Sequence, residues 1–142
     1  MGALAALISS ACISAAVSYT APLDPGAPHI PWLRVGPVSG YLFYYGADGP
    51  WREKPERVII TTGGGPAGGF ATKILWHVRG GAATLRLTGR RLDGSGRFTQ
   101  TFPAIGGGFF PSTVVVPAPG CWGVTVRSGH RVRRFAFLAL AP

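Results

Sequence analysis

Apolar and polar residues alternate with a period of two through much of the second half of the chain. In the segment 120–129, Trp122 and Val124 share one parity, and Thr125 and Arg127 take the other. A period of two with apolar residues on one side is typical of a half-buried β-strand. The segment therefore predicts a strand that places Trp122 and Val124 in the core.

Three more segments alternate in the same way. Residues 71–79 place Trp76 with two aliphatic neighbours on one side and basic residues on the other. The segments 82–90 and 97–102 repeat this pattern, with threonine and arginine opposite leucine or phenylalanine. The two-residue gap Gly80-Gly81 predicts a tight hairpin between the first two of these strands.

Short segments of this kind recur along the chain, with glycine, proline and aspartate between them. Residues 38–46, 57–62 and 131–140 add further strands, and no segment after the N-terminus has a helical period. Seven or eight short strands joined by turns favour an all-β, antiparallel sandwich. With 142 residues, of which 46% are hydrophobic and 13% charged, the chain is long enough for one domain with a core.

The N-terminal region has a different composition. Residues 1–17 are small and apolar, which is typical of the hydrophobic part of an export signal. Cys12 follows small residues, as in a bacterial lipoprotein cleavage box, so we expect either lipidation at Cys12 or a plain cleaved signal. A third interpretation is an ordinary buried cysteine. Residues 18–37 carry five prolines and predict a stiff linker, so the sandwich is expected to span 38–142.

The run Gly120-Cys121-Trp122-Gly123-Val124 resembles the penultimate strand of the immunoglobulin-like family. That strand has an aromatic residue two positions before an inward core residue, with a turn glycine just ahead. Trp122 would take the aromatic place and Val124 the inward place, and Trp76 would be the buried tryptophan of the facing sheet. The pattern lacks the paired cysteines of antibody domains, so the chain looks like a disulfide-free bacterial member.

Residues 73–129 are also similar to a group of uncharacterised bacterial exported proteins and lipoproteins. The pieces that carry this resemblance are KILWHVRG, LTGRRLDG and the PxPGCW turn and strand, which cover about half of the chain. The resemblance implies an exported immunoglobulin-like sandwich and implies no particular activity.

The formal net charge is +9, and nearly all of the positive charge is arginine. Basic residues lie on the predicted polar sides of three successive strands, with threonines between them: Lys73, His77, Arg79, Arg86, Arg90 and Arg97. Together they predict a basic, hydroxyl-rich sheet face for acidic glycans or anionic lipid headgroups. The alternative is a solvated face of the kind that antiparallel sheets normally have. Nucleic acid is not expected, because the pattern lacks exposed aromatic residues between the charges.

No residue pattern predicts a catalytic, cofactor-binding or metal site. Cys121 is interpreted as a structural, partly covered thiol on the outer side of its strand, and no disulfide to Cys12 is expected because Cys12 was assigned to the removable N-terminus. The histidines are scattered singly, and three aspartates beside glycine or proline indicate turns: Asp24, Asp48 and Asp93.

These observations predict a non-catalytic binding or structural module outside the cytoplasm, in the cell envelope or secreted. Lipidation at Cys12 would tether it to a membrane. The expected partner is an envelope protein or a glycan of unknown identity. Two alternatives stay open: a small exported enzyme or metal carrier, and a polyanion-binding module that uses the basic sheet face.

Overall fold

The computed structural model describes residues 12–43, 55–63 and 72–141, and the described residues form an all-β fold with no α-helix. The expected all-β class is thereby confirmed. No helix in this part of the chain has the length and apolar character needed to cross a membrane. The described residues contain nine strands: β1 Trp32–Val35, β2 Val38–Leu42, β3 Ile59–Thr61, β4 Lys73–Val78, β5 Thr84–Arg91, β6 Arg97–Pro103, β7 Phe109–Thr113, β8 Gly120–Ser128 and β9 Arg131–Leu140.

The nine strands form two sheets. The four-stranded sheet has the order β1-β2-β4-β7, and the five-stranded sheet has the order β3-β9-β8-β5-β6. The pairing of β3 with β9 is parallel, and the other described strand pairs are antiparallel. Apolar side chains from both sheets form one buried cluster, which is the arrangement of a sandwich.

The core contains one tryptophan from each sheet. Trp76 of β4 and Trp122 of β8 are both 0% exposed, and Val124 is 1% exposed. Trp76 stacks on Phe135 of β9 with ring centroids 5.7 Å apart. Its indole nitrogen is satisfied, since Trp76 Nε1 donates to Ser112 Oγ at 3.0 Å. The alternating residues thus put the large aromatic side chains between the sheets and the polar ones outside.

The Gly80-Gly81 turn does not form the expected hairpin. Strands β4 and β5 lie in different sheets, so this turn carries the chain across the sandwich. Gly80 has a φ of 71°, a conformation that suits glycine. Ser128 supports the crossing, because its hydroxyl accepts from Ala82 N at 2.8 Å and donates to Thr84 O at 2.8 Å.

The predicted linker contains a strand and packs on the sandwich. Strand β1 lies within residues 18–37 and pairs with β2, so the prolines there do not prevent regular structure at positions 32–35. Residues 15–18 also connect the two sheets. Ala15 N donates to Ala136 O at 2.9 Å on one sheet, and Ser18 N donates to Trp32 O at 2.7 Å on the other. The described part of the predicted signal segment, 12–17, is therefore integrated in the fold; residues 1–11 lie outside the described residues.

Cys12 and Cys121 form a disulfide across a sequence separation of 109 residues. The expectation of two unpaired thiols was wrong. Cys121 lies on the outward side of β8, like Gly123 and Thr125, but it is bonded to Cys12 and is only 3% exposed. The error arose because residues 12–18 were assigned to a separate segment, whereas they lie along the sandwich beside β9. The bond also uses the thiol that lipidation at Cys12 requires, so this structure is incompatible with a lipidated Cys12.

The disulfide closes a loop of roughly one hundred residues. In the chain-entropy account, such a link destabilises the unfolded state by about 4–5 kcal/mol.

Gln100 of β6 joins the two sheets through its side chain, which bonds to the backbone at the end of β7 and just after it. Its amide donates to Thr113 O at 3.0 Å and accepts from Val115 N at 2.9 Å.

We expect Trp122→Ala to lower the free energy of unfolding by about 3–5 kcal/mol, because it removes a fully buried aromatic side chain. Trp122 Nε1 donates to Ala118 O at 2.9 Å, and its ring lies 5.6 Å from Phe98. Thr99→Ala, on the exposed side of β6, should cost less than about 1 kcal/mol. Urea denaturation measures both, and equal costs for the two variants would contradict the assignment of the faces.

Candidate functional site

The outer face of the five-stranded sheet carries a cluster of arginine and threonine side chains. Strand β5 lies at its centre, between β6 and β8. The pairing register places side chains of the same parity side by side across β6, β5, β8 and β9. We call this surface the arginine face, and its members are Arg86, Thr88, Arg90, Arg97, Thr99, Thr101, Gly123, Thr125, Arg127, Val132, Arg134 and Ala136.

The arginine face differs in membership from the predicted basic face. Arg86, Arg90 and Arg97 lie on it, whereas Lys73 and Arg79 lie on the four-stranded sheet or its turn, on the other side of the molecule. The sequence prediction grouped these residues because β4 and β5 were expected to form a hairpin. Since that hairpin does not exist, the predicted cluster divides into two.

Two arginines of the face were missed. Arg127 of β8 is the register partner of Arg86, and Arg134 of β9 is the partner of Thr125. Their outward parity is readable in the sequence, since Arg127 alternates with Val124 and Val126. What was missing is the sheet order, which brings β8 and β9 next to β5.

The register places like charges directly opposite each other. Arg86 faces Arg127 across β5 and β8, and Arg90 faces Arg97 across β5 and β6. Like charges in such positions destabilise a sheet, by up to about 1 kcal/mol per pair. In the part of the chain that the structure describes, none of these four side chains forms an ion pair with a carboxylate. The arrangement therefore costs stability and leaves the positive charge available to a ligand.

Two shallow hollows lie next to each other on the arginine face. The first, of about 350 Å³, is lined by Thr88, Thr99 and Thr125 with Arg90 and Arg97. The second, of about 450 Å³, shares Arg90, Gly123 and Thr125 with the first. Its other side is formed by Leu92, Arg134 and Ala136.

The lining of both hollows consists of guanidinium donors, hydroxyl groups, backbone and a few apolar side chains. Guanidinium groups bind carboxylate, sulfate and phosphate oxygens through paired N–H donors. Threonine hydroxyls both donate and accept hydrogen bonds, which suits a ligand with hydroxyl groups of its own. Such a lining is chemically suited to an anionic ligand with hydroxyl groups.

The outer face of the four-stranded sheet is different, because the N-terminal segment covers it. Asp24 of that segment is 5% exposed and contacts three outward side chains of the sheet. Tyr41 donates its hydroxyl hydrogen to Asp24 Oδ2. Arg34 Nη2 lies 3.6 Å from Asp24 Oδ1. His77 Nδ1 lies 3.2 Å from the same oxygen, although this nitrogen makes no hydrogen bond of good geometry.

Asp24 is held as a carboxylate by these neighbours. Burial by itself raises the pKa of Asp24, but the hydrogen bond from Tyr41 and the nearby Ser39, His77 and Arg34 outweigh it, so the pKa is lowered. The pKa of Tyr41 is raised, first by burial and then by the hydrogen bond and charge of Asp24. The cluster therefore stabilises the covering segment on the sheet.

Sequence reasoning assigned Asp24 to a turn and gave His77 no partner. The turn is present, since Ala27 N donates to Asp24 O at 3.2 Å, but the carboxylate has a second role that no local pattern signals. Asp93 joins a turn as well: it accepts from Arg91 Nε at 3.0 Å and from Cys121 N at 3.1 Å. Asp48 lies outside the described residues.

The remaining candidate residues add no site. His29 is exposed, and among the described residues no group of three or more histidine, cysteine, aspartate or glutamate side chains is placed to hold a metal ion. Comparison of the chain with protein-family models, with curated proteins and with solved structures found no match.

We expect Asp24→Asn to lower the free energy of unfolding by about 1.5–3 kcal/mol near neutral pH, because it weakens hydrogen bonds and ion pairs to a buried charge. The pKa of Asp24 is lower in the folded state than in the unfolded state. As the pH falls below about 4, the unfolded state therefore binds more protons than the folded state. The stability that Asp24 contributes is therefore complete above about pH 4 and is lost at lower pH.

Urea denaturation of both proteins at about pH 6 and about pH 3 tests this expectation. The difference between wild type and Asp24→Asn should shrink at the lower pH. Glu56→Gln is the control, because Glu56 is exposed and its charge should contribute little. A difference that grows as the pH falls would contradict the assignment.

Proposed function

We propose that the protein is a non-catalytic binding module that acts outside the cytoplasm and holds an anionic polymer against the arginine face. The observation that carries the proposal is the set of five exposed arginines on one sheet face: Arg86, Arg90, Arg97, Arg127 and Arg134. Two like-charge pairs in register lower the stability of the sheet. An anionic ligand would relieve this repulsion.

The proposed location rests on the disulfide. Disulfides form and persist mainly in oxidising compartments, such as the periplasm or the extracellular space. The bond joins Cys12 to Cys121 of β8, and Cys121 is only 3% exposed. Together with the export-type composition of the N-terminus, it favours a protein of the cell envelope or a secreted protein.

An acidic polysaccharide is the favoured polymer. Three threonines line the first hollow beside its arginines, and Thr125 also lines the second. Sugar hydroxyl groups are matching partners for threonine hydroxyls. Single-stranded nucleic acid is disfavoured because its binding generally uses exposed aromatic side chains as stacking platforms. The exposed side chains of this face are arginine and threonine. Phe98 and Phe135, which also line the hollows, are half-buried and pack against the core.

We also propose that the sandwich is of the immunoglobulin type. The strand orders β2-β4-β7 and β9-β8-β5 support the proposal, since they match strands A-B-E and G-F-C of that fold. The hydrogen bond from Trp122 Nε1 to Ala118 O supports it as well. In immunoglobulin-like domains, an aromatic residue at this corner bonds to the backbone a few residues upstream.

Heparin affinity tests the binding proposal. The wild-type protein should be retained, and its affinity should fall steeply with salt concentration, because binding releases counterions from the polymer. Arg86→Glu combined with Arg90→Glu should abolish retention at roughly physiological salt, since it removes two contacts and adds two repulsive charges. The circular dichroism spectrum should stay that of wild type, because both side chains are exposed. The free energy of unfolding should equal or exceed that of wild type, because each glutamate would face an arginine across the strands.

A charge-matched control lies on the other sheet. Lys73→Glu combined with Arg79→Glu changes the net charge by the same amount, and both residues are exposed. This control should be retained almost as strongly as wild type. Equal loss in the two double variants would show that retention depends on net charge alone and would contradict a site on the arginine face.

A further inference from the structure

We propose that the two hollows form one continuous trough that takes two adjacent units of an acidic polysaccharide, with the sugar chain running across the strands from β6 towards β9. This inference rests on the proposed function and deepens it, because it assigns a binding mode and a minimal ligand size. The trough is defined by the two hollows and the three residues that line both of them: Arg90, Gly123 and Thr125.

The direction of the trough follows from the strand order. The first hollow extends towards Arg97 and Thr99 on β6, and the second extends towards Arg134 and Ala136 on β9. Neighbouring strands lie about 4.8 Å apart, so the middles of the two hollows, over β5 and β8, are separated by about 5 Å. A ligand that fills both must therefore lie across the strands and pass over Gly123.

Gly123 lies at the floor of the trough, and its backbone conformation does not require a glycine. Its φ lies outside the left-handed region, and the nearest atom to an added Cβ is Leu92 Cδ2 at 3.2 Å, on a side chain that is 60% exposed. Gly89 of β5 shows the contrast, since a Cβ there would meet Phe98 Cε1 at 1.9 Å. Packing requires glycine at position 89, whereas a side chain at position 123 would meet only the exposed side chain of Leu92, which would have to shift.

The two halves of the trough suit different parts of a sugar chain. The first hollow offers Arg90, Arg97 and the threonine hydroxyls, so it fits a charged unit with hydrogen-bonding groups around its ring. The second hollow offers the apolar side chains of Leu92 and Ala136 beside Arg134. It fits the C–H face of the next ring, with the acidic group of that ring at Arg134. Arg90 lies between the two units.

Gly123→Val tests the trough separately from the charge of the face. Valine is favoured in strands, its side chain would fill the space between the hollows, and only the mobile end of Leu92 must move. We expect the variant to bind a heparin-derived tetrasaccharide at least tenfold more weakly than wild type in titration calorimetry. Its retention on full-length heparin at low salt should stay, because all five arginines remain.

Thr101→Val is the control for a valine on this face. It exchanges one β-branched residue for another of similar size at a position that neither hollow includes, so its affinity for the tetrasaccharide should equal that of wild type. Arg134→Gln provides a second test that does not depend on how Gly123→Val folds. It should weaken binding of the tetrasaccharide. It should leave binding of a heparin disaccharide nearly unchanged, because we expect the disaccharide to occupy the first hollow, which Arg134 does not line.

The possible results separate the two levels of the proposal. Wild-type affinity in Gly123→Val, or equal effects of Arg134→Gln on both ligands, would overturn the trough while the binding of anionic polymer by the arginine face stands. A wild-type protein that is not retained on heparin would overturn both the trough and the binding of anionic polymer by the arginine face. Tight binding of an oligothymidylate of equal charge, sensitive to Gly123→Val, would overturn the assignment to a polysaccharide.

Discussion

The buried carboxylate of Asp24 joins the N-terminal segment to the four-stranded sheet. Its contacts with Tyr41, His77 and Arg34 hold the N-terminal segment against the four-stranded sheet. A buried carboxylate without partners would be strongly destabilising, so the segment and the sheet depend on each other. This segment lies over the part of the four-stranded sheet around Tyr41 and His77, whereas the arginine face on the other sheet carries five exposed arginines.

The alternation of residues predicts much of the fold. It assigns Trp76 and Trp122 to the interior and arginine and threonine to the outside, because strand parity is a local property of the sequence. The contacts that it could not predict are long-range. The bond between Cys12 and Cys121 spans 109 residues. Asp24 lies in the segment that the sequence predicts to be a linker, and it contacts His77 of the four-stranded sheet.

Which residues form the candidate site also depends on long-range pairing, namely on the order of the strands in each sheet. Parity shows that Arg86, Arg90 and Arg97 point outward, but it does not show which strands share a sheet. Once β8 and β9 are placed beside β5, Arg127 and Arg134 join the face, and Lys73 and Arg79 leave it. The open floor at Gly123 is likewise invisible in the sequence, where glycine in a strand indicates only a bulge or a close approach.

The central claim is that an anionic polymer binds to the arginine face and not to the covered sheet. Mapping of amide chemical shifts by NMR during titration with a heparin-derived oligosaccharide tests it most directly. The account predicts saturable shifts at Thr88, Arg90, Gly123 and Thr125, with Ser39, Tyr41 and His77 unchanged. Shifts confined to β2, β4 and the N-terminal segment, or spread evenly over all exposed basic residues, would contradict it.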